Sequence, residues 1–329
     1  MARVLIIGGT RFMGFFLTEE LLAKGHVLTL LHRGKTAPDG MPNVNNIIGD
    51  RESSLEKIEG HFDAVIDTSG MLPRQVRLST ECAKNRLNCD RYVYISTVSV
   101  YRDPLAPFAD ESAPRCASGD PNADSVTMEN YGALKAACED VVLDAFEDEA
   151  LIVRPGLMVG PRDQSDRFTY WVRRLSAGGE VLAPGDPDSL VQIIDARDLA
   201  RWIADMVERR MAGVYNATGP AQPLTFAELL LHCQRQSGRT PELRWVSDDG
   251  LADAGIGPGN DLPLWVPKAD AEGWGSISSA KAQQQGLSYR PIASTIAETL
   301  QWDRQRGSPP LKCGLTLERE RTLLSRLGR

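Results

Sequence analysis

Tyr131 and Lys135 stand four residues apart in the segment YGALK. On a helix that spacing puts both side chains on one face. A neighbouring ammonium favours phenolate over phenol, so the pair predicts a tyrosine of lowered pKa that gives and takes a proton near neutral pH. Upstream, STVSVY (Ser96–Tyr101) ends an apolar run, and its Thr97 hydroxyl is placed to hold a substrate oxygen beside that phenol. A lone Tyr-x-x-x-Lys is commonly a helix-surface pair. Here it follows a series of strands with a hydroxyl-bearing strand end, and it reads as an acid/base constellation.

A second candidate is VLIIGGTRFMG, residues 4–14. Gly8 permits a sharp exit from a strand, and Gly14 lets the following helix pack closely. The backbone amides of Phe12, Met13 and Gly14 open that helix and suit a pyrophosphate. Taken alone, the turn is equally an ordinary strand-to-helix connection. Arg11 fills the position where a middle glycine is usual. Further on, HRG (His32–Gly34) puts Arg33 where an NAD site carries an acid for the ribose, about 20 residues past the turn. Two arginines around an adenosine ribose suit a 2′-phosphate, so NADP is the expected cofactor and NAD the alternative.

These groups need elements to position them. RVLIIG, VLTLLHRG, NVNNIIGD, FDAVIDTSG, RYVYISTVSVY and ALIVRPGLMVG read as six strands. Helical patterns alternate with them, notably FFLTEELLAKG, closed by Gly25, and MENYGALKAACEDVVLDAF. The alternation predicts an α/β protein with a Rossmann-type, doubly wound parallel sheet, because parallel neighbours need crossover helices. Beyond residue 160 the rhythm breaks. VQII and GVYNAT read as strands around a helix at about 197–210, a helix follows PLTFAELLLHC, and DDGLADAGIGPGNDLPLWVPKAD reads as loop. Residues 1–160 are expected to bind the dinucleotide. Residues 161–329 are expected to form a smaller, interleaved, mainly substrate-binding region, with some segments returning to the first.

The 329-residue chain is 42% hydrophobic and 25% charged, the balance of a globular protein. A net charge of −7 and a pI of about 5.3 give no electrostatic support for a nucleic-acid or anionic-membrane partner. No apolar run approaches the ~18 residues of a membrane span, and the first residues read as a strand rather than a secretion signal. Six cysteines form no Cys-x-x-Cys pair and are expected to be reduced and mostly buried; four scattered histidines suggest no metal site. The cytoplasm, a small-molecule substrate and no membrane are expected.

In order along residues 3 to about 218, these motifs resemble the extended short-chain dehydrogenase/reductase family, of the epimerase and dehydratase type. GGTRFMG matches its phosphate turn, GDR (Gly49–Arg51) the adenine-side Gly-Asp, and DTSG (Asp67–Gly70) the loop after strand four. STVSVY matches the hydroxyl-rich strand end, ADESAP (109–114) the acidic loop before the tyrosine, and YGALKAACE the catalytic helix. RPGLMVGP and IDARDLA complete the series. The GGTRF turn is similar to that of an atypical branch containing epimerase-like, reductase-like and plastid RNA-binding members. The resemblance implies Tyr131 as acid/base, Lys135 lowering its pKa and holding the nicotinamide ribose, and Thr97 orienting the reacting oxygen. It also implies cofactor contacts at Gly8, Thr10, Arg11, Phe12, Met13, Gly14, Arg33, Asp50, Arg51, Thr68, Ser69, Gly70 and Ser96. The backbone at Pro155, Gly156 and Leu157 approaches the nicotinamide, and a homodimer through helices including 131–146 is implied.

The expected function is hydride transfer to or from a carbonyl or alcohol carbon of a small polar substrate, by reduction or epimerisation. A nucleotide-sugar epimerase or dehydratase is the alternative. Family members of that kind carry an arginine that grips diphosphate where this chain has Val191, and Arg162, Arg167, Arg173 and Arg174 read as solvated charges. A dehydratase would ask for acids after the catalytic hydroxyl, and Val98–Ser99 supply none. The rival of another class is a catalytically silent nucleotide-sensing or RNA-binding protein on the same fold.

Overall fold

Alternation fixes the first strand. Val4 and Ile6 enter one core and Leu5 and Ile7 another, all buried, as a strand covered on both faces requires. The same two-sided burial recurs in the central strands of a seven-stranded parallel sheet, in a computed structural model that describes residues 1–35 and 40–327. The strands are β1 (Arg3–Ile7), β2 (Val27–His32), β3 (Asn45–Ile48), β4 (Ala64–Asp67), β5 (Tyr92–Ile95) and β6 (Ala150–Pro155). Then come β7 (Leu157–Val159), β8 (Glu180–Pro184), β9 (Ile193–Asp195), β10 (Gly213–Ala217) and β11 (Glu242–Val246). The large sheet runs β3-β2-β1-β4-β5-β6-β10. Its order reverses between β1 and β4, where doubly wound sheets open a crevice beyond the strand ends.

Helices cover both faces. They are α1 (Phe12–Ala23), α2 (Arg51–Ser54), α3 (Pro73–Asn85), α4 (Tyr131–Phe146), α5 (Arg167–Ala177) and α6 (Ala196–Glu208). The later ones are α7 (Phe226–Ser237), α8 (Asp248–Asp253), α9 (Lys268–Trp274), α10 (Ala280–Gln284), α11 (Ile292–Gln305) and α12 (Leu317–Leu327). α1 packs with α6 on one face, α3 with α4 on the other. A separate core gathers α5, α7, α11 and β8 around Phe168, Trp171 and Phe226. Trp171 and Phe226 meet edge to face, 5.3 Å between ring centroids.

Three local readings change. ALIVRPGLMVG is two strands, not one. The Gly156 amide bonds Ala217 O, and a Cβ there would stand 2.2 Å from Thr218 Oγ1. The chain therefore leaves the main sheet at Gly156, and β7 pairs with β9 instead. The stretch from Asp248 is not all loop, because the Ser247 side chain accepts from the Gly250 amide and caps α8. Arg173 and Arg174 are not solvated: Arg173 forks onto Asp303, and Arg174, 7% exposed, pairs with Glu320 at 2.6 Å. The six cysteines are free thiols, Cys82, Cys89, Cys138 and Cys233 buried and Cys116 and Cys313 half-buried. No helix among the described residues is long and apolar enough to cross a membrane.

Candidate active site

The glycine turn lies at the β1/β4 reversal. Gly8 has φ +105° and so close a neighbour that a Cβ would lie 2.2 Å from Thr68 Oγ1. Thr68 in turn donates to Ile7 O at 3.0 Å, tying the end of β4 to the end of β1. Gly14 approaches Gly9 so closely that a Cβ would stand 3.0 Å from its Cα. The Thr18 hydroxyl donates to the carbonyls of Gly9 and Gly14, locking turn to helix. No side chain caps α1, which leaves its first-turn amides open to an anion.

Below the turn lies a cavity of about 590 Å³. It is lined by Gly8, Thr10, Arg11, Phe12, Met13, Gly14, Arg33, Asp50, Arg51, Thr68 and Ser69, eleven of the positions read from the sequence. Gly70, Ser96, Pro155, Gly156 and Leu157 do not line it, nor do Thr97, Tyr131 and Lys135; Ile95 and Met158 mark the end nearest them. Arg11, Arg33 and Lys35 are exposed at the lining. The Asp50 carboxylate caps α2 by accepting from the Glu52 amide. Arg51 is buried, and its guanidinium forks onto Asp67. Sequence reasoning missed Asp124, Ser125 and Val126, which reach the lining from a polar loop with no pattern to mark it.

A dinucleotide fits these features: uncapped amides for its phosphates, cations at one end, and a volume within the range of small-ligand sites. The Ser96 hydroxyl, next to Ile95, is buried without a hydrogen-bond partner, as a group awaiting a ligand or water would be.

At the other end Tyr131 opens α4, held there by tight packing. A Cβ on Gly132 would stand 2.1 Å from Ser99 O. The Tyr131 phenol is half-buried beside the Thr97 hydroxyl. Burial pushes its pKa up, while the Thr97 hydrogen bond and the Arg167 charge act in the opposite direction. Lys135 is not among the groups acting on it, which corrects the expectation of a phenol lowered by Lys135. The reason is geometric: the Lys135 ammonium, 3% exposed, donates to Gly70 O at 2.9 Å and Ile95 O at 2.7 Å. It lies 4.1 Å from the Tyr94 ring centroid. Burial lowers its own pKa to about 8, against the pull of Cys138, Asp67 and Glu139. Val191 is buried, with no guanidinium in its place. Among the described residues no cluster of three or more His, Cys, Asp or Glu could hold a metal ion.

The family model for the NAD dependent epimerase/dehydratase family matches residues 4–218. The chain belongs to that family. It is 26% identical over 258 residues to the chloroplast stem-loop binding protein of 41 kDa b from Arabidopsis thaliana, a match covering 72% of this chain and 63% of that protein's length. It is 27% identical over 241 residues to the epimerase family protein SDR39U1 of Bos taurus, covering 69% and 77%. The UDP-glucose 4-epimerase of Thermus thermophilus, solved as a complex with NAD, has a similar fold, with a TM-score of 0.66 at 18% identity, covering 92% of this chain and 99% of that one.

Proposed function

We propose that the chain is a nicotinamide-dinucleotide-dependent enzyme of the epimerase/dehydratase family, an epimerase or reductase acting at an alcohol or carbonyl carbon of a small polar substrate. The observation that carries this reading is the half-buried Tyr131 phenol beside Thr97, close in sequence to Ile95 at the end of a dinucleotide-sized cavity. When bound, the nicotinamide supplies or accepts hydride at carbon. The chain's own residues manage the proton at oxygen. Tyr131, kept protonated at rest by burial, gives its proton to a carbonyl oxygen in the reducing direction; in the oxidising direction it first loses that proton to solvent, and the phenolate then receives one from the substrate hydroxyl. Thr97 orients that oxygen, and the Arg167 charge eases the phenolate.

The Lys135 ammonium orders the Gly70 loop and the Ile95 strand end, and Ser96 with the backbone of Pro155–Leu157 would hold the nicotinamide of a bound dinucleotide. The amides of residues 12–14 take the pyrophosphate. Arg11 and Arg33 support NADP(H), since Arg33 follows β2 where an acid would meet a free 2′-hydroxyl. The first 160 residues with α6 and β10 then form the nucleotide side, and the rest mainly the substrate side.

The family and the UDP-glucose 4-epimerase fold support a nucleotide-sugar substrate. Buried Val191, with Arg173 and Arg174 committed to Asp303 and Glu320, favours a second reading, a polar carbonyl compound without diphosphate. The stem-loop-binding name of the Arabidopsis relative is not carried over, because this chain has a net charge of −7 and keeps Thr97, Tyr131 and Lys135. Thermal unfolding with NAD(H), NADP(H), UDP and UDP-sugars separates the readings. A shift with a nicotinamide dinucleotide supports the enzyme, and a further shift with UDP decides for the nucleotide-sugar class. No shift with any dinucleotide refutes the proposal.

A further inference from the structure

A buried ammonium with no carboxylate bonded to it needs something else to hold it. Of its two acceptors, Ile95 O belongs to β5 and is fixed by the sheet. Gly70 O belongs to a turn outside any helix or strand. That turn is pinned from behind. The Gly70 amide donates to Asp67 Oδ1 at 2.8 Å, and the Ser69 amide donates to the same oxygen at 3.0 Å. Asp67, fully buried, accepts both arms of the Arg51 fork at 2.7 and 2.6 Å and the Tyr92 hydroxyl at 3.1 Å. Arg51 also donates to Ser69 Oγ at 2.6 Å. There is no slack for the turn to shift: a Cβ on Gly70 would stand 2.7 Å from Asp67 Oδ2.

We propose that Arg51 and Asp67 are a positioning pair for Lys135, setting the Gly70 turn whose carbonyl receives the ammonium. The inference rests on the reading of Lys135 as part of the reaction site. Arg51 is the third residue of the GDR segment and Asp67 the first of DTSG, so two motifs read separately as cofactor contacts act as one device. Its Arg51 end and Ser69 line the nucleotide cavity, while its Gly70 end holds Lys135. The charges facing Lys135 are Asp67 and Glu139, which with the Cys138 thiol favour the ammonium, and Arg51, which opposes it; burial opposes it most. Removing Asp67 therefore frees the turn and also strips away an anion while leaving Arg51 bare.

The test is the titration of Lys135 in the full chain, followed by NMR of 13C-labelled lysine, its resonance assigned by its loss in Lys135→Met. In Asp67→Asn the midpoint, about 8 in the parent, moves down by about one pH unit. Amide exchange at Gly70 accelerates at least about tenfold, and dinucleotide affinity falls. If Asp67→Asn does not fold, Arg51→Gln/Asp67→Asn leaves no buried charge unpaired and is read the same way. Its Gly70 amide also exchanges faster, because a neutral amide oxygen replaces the carboxylate that held it. A folded variant in which Lys135 titrates and Gly70 exchanges as in the parent overturns the proposal. The titration and the exchange need no substrate, so their failure is told apart from failure of the enzymatic reading, which full turnover in Tyr131→Phe would show.

Discussion

Lys135 and Gly70, 65 residues apart in the chain, are joined by a 2.9 Å hydrogen bond from the ammonium to the carbonyl. The lysine that sequence spacing assigns to Tyr131 is thus anchored to the loop after β4, and the charge bearing on the phenol comes from Arg167 at the start of α5. This division of labour separates the expected behaviour of the two cations.

Arg167→Gln should raise the phenol's pKa by withdrawing the charge that favours phenolate, so a rate limb set by Tyr131 moves to higher pH. Lys135→Met should leave that limb in place and weaken dinucleotide binding. A pH profile of kcat/KM beside a fluorescence titration of cofactor reads both. The assignment fails if the limb follows Lys135 instead.

Tyr131→Phe removes one hydroxyl and keeps the ring, so fold and cofactor affinity persist. Turnover on an identified substrate should drop ~10²–10⁴-fold, the usual worth of a positioned acid/base. Thr97→Val should lower turnover more than cofactor affinity.

At the opposite end of the cavity, Arg33→Ala and Arg11→Ala should each cost NADPH about 1–3 kcal/mol of binding and change NADH little. Equal losses for the two nucleotides, measured by calorimetry, would mean that neither guanidinium meets a 2′-phosphate.

Gly8→Ala should destabilise the protein by about 1–3 kcal/mol through backbone strain and abolish dinucleotide protection in thermal melts. Its φ of +105° and the 2.2 Å approach to Thr68 leave no room for a methyl group.

Acid should loosen the second core. Burial pushes the Asp303 carboxyl up, but the hydrogen bonds from Arg173 and Arg306 outweigh it and hold the pKa below its ordinary value. The unfolded chain then binds more protons than the native one below its own carboxyl pKa of about 3.9, so stability rises with pH there. The contribution is complete above that pH and is lost as pH falls. Asp303→Asn should lower stability at neutral pH and flatten the acid limb of a denaturation curve.

Much of this architecture was legible in the chain. The doubly wound parallel sheet follows from strand runs alternating with helical patterns, and the glycine turn is marked by residues whose backbone demands few others meet. The Tyr131/Lys135 face follows from helical spacing. What spacing could not give is where Lys135 points, since its acceptors, Gly70 O and Ile95 O, arrive from two other segments. The Arg51–Asp67 pair was hidden for the same reason: it joins the start of α2 to the end of β4, and a contact between two distant segments leaves no local pattern. The break at Gly156 was missed because Pro-Gly inside an apolar run reads as a pause, whereas the tight approach of Thr218 makes it an exit from the sheet.

The interleaving of α6 and β10 with the first strands has a bearing on biosynthesis. Trp202 of α6 and Tyr215 of β10 meet edge to face at 5.8 Å, within the core that covers Val4, Ile6, Ile66 and Val153. Until residue 217 has left the ribosome, that face of the nascent sheet has only α1 to shield it. A chain stopped at residue 160 would present it to solvent, sticky and unable to close. Such a long wait for a distant segment slows folding and lengthens exposure to aggregation. Chaperone dependence tied to this face should therefore fall as β10 emerges, while the second core still waits for α7 and α11.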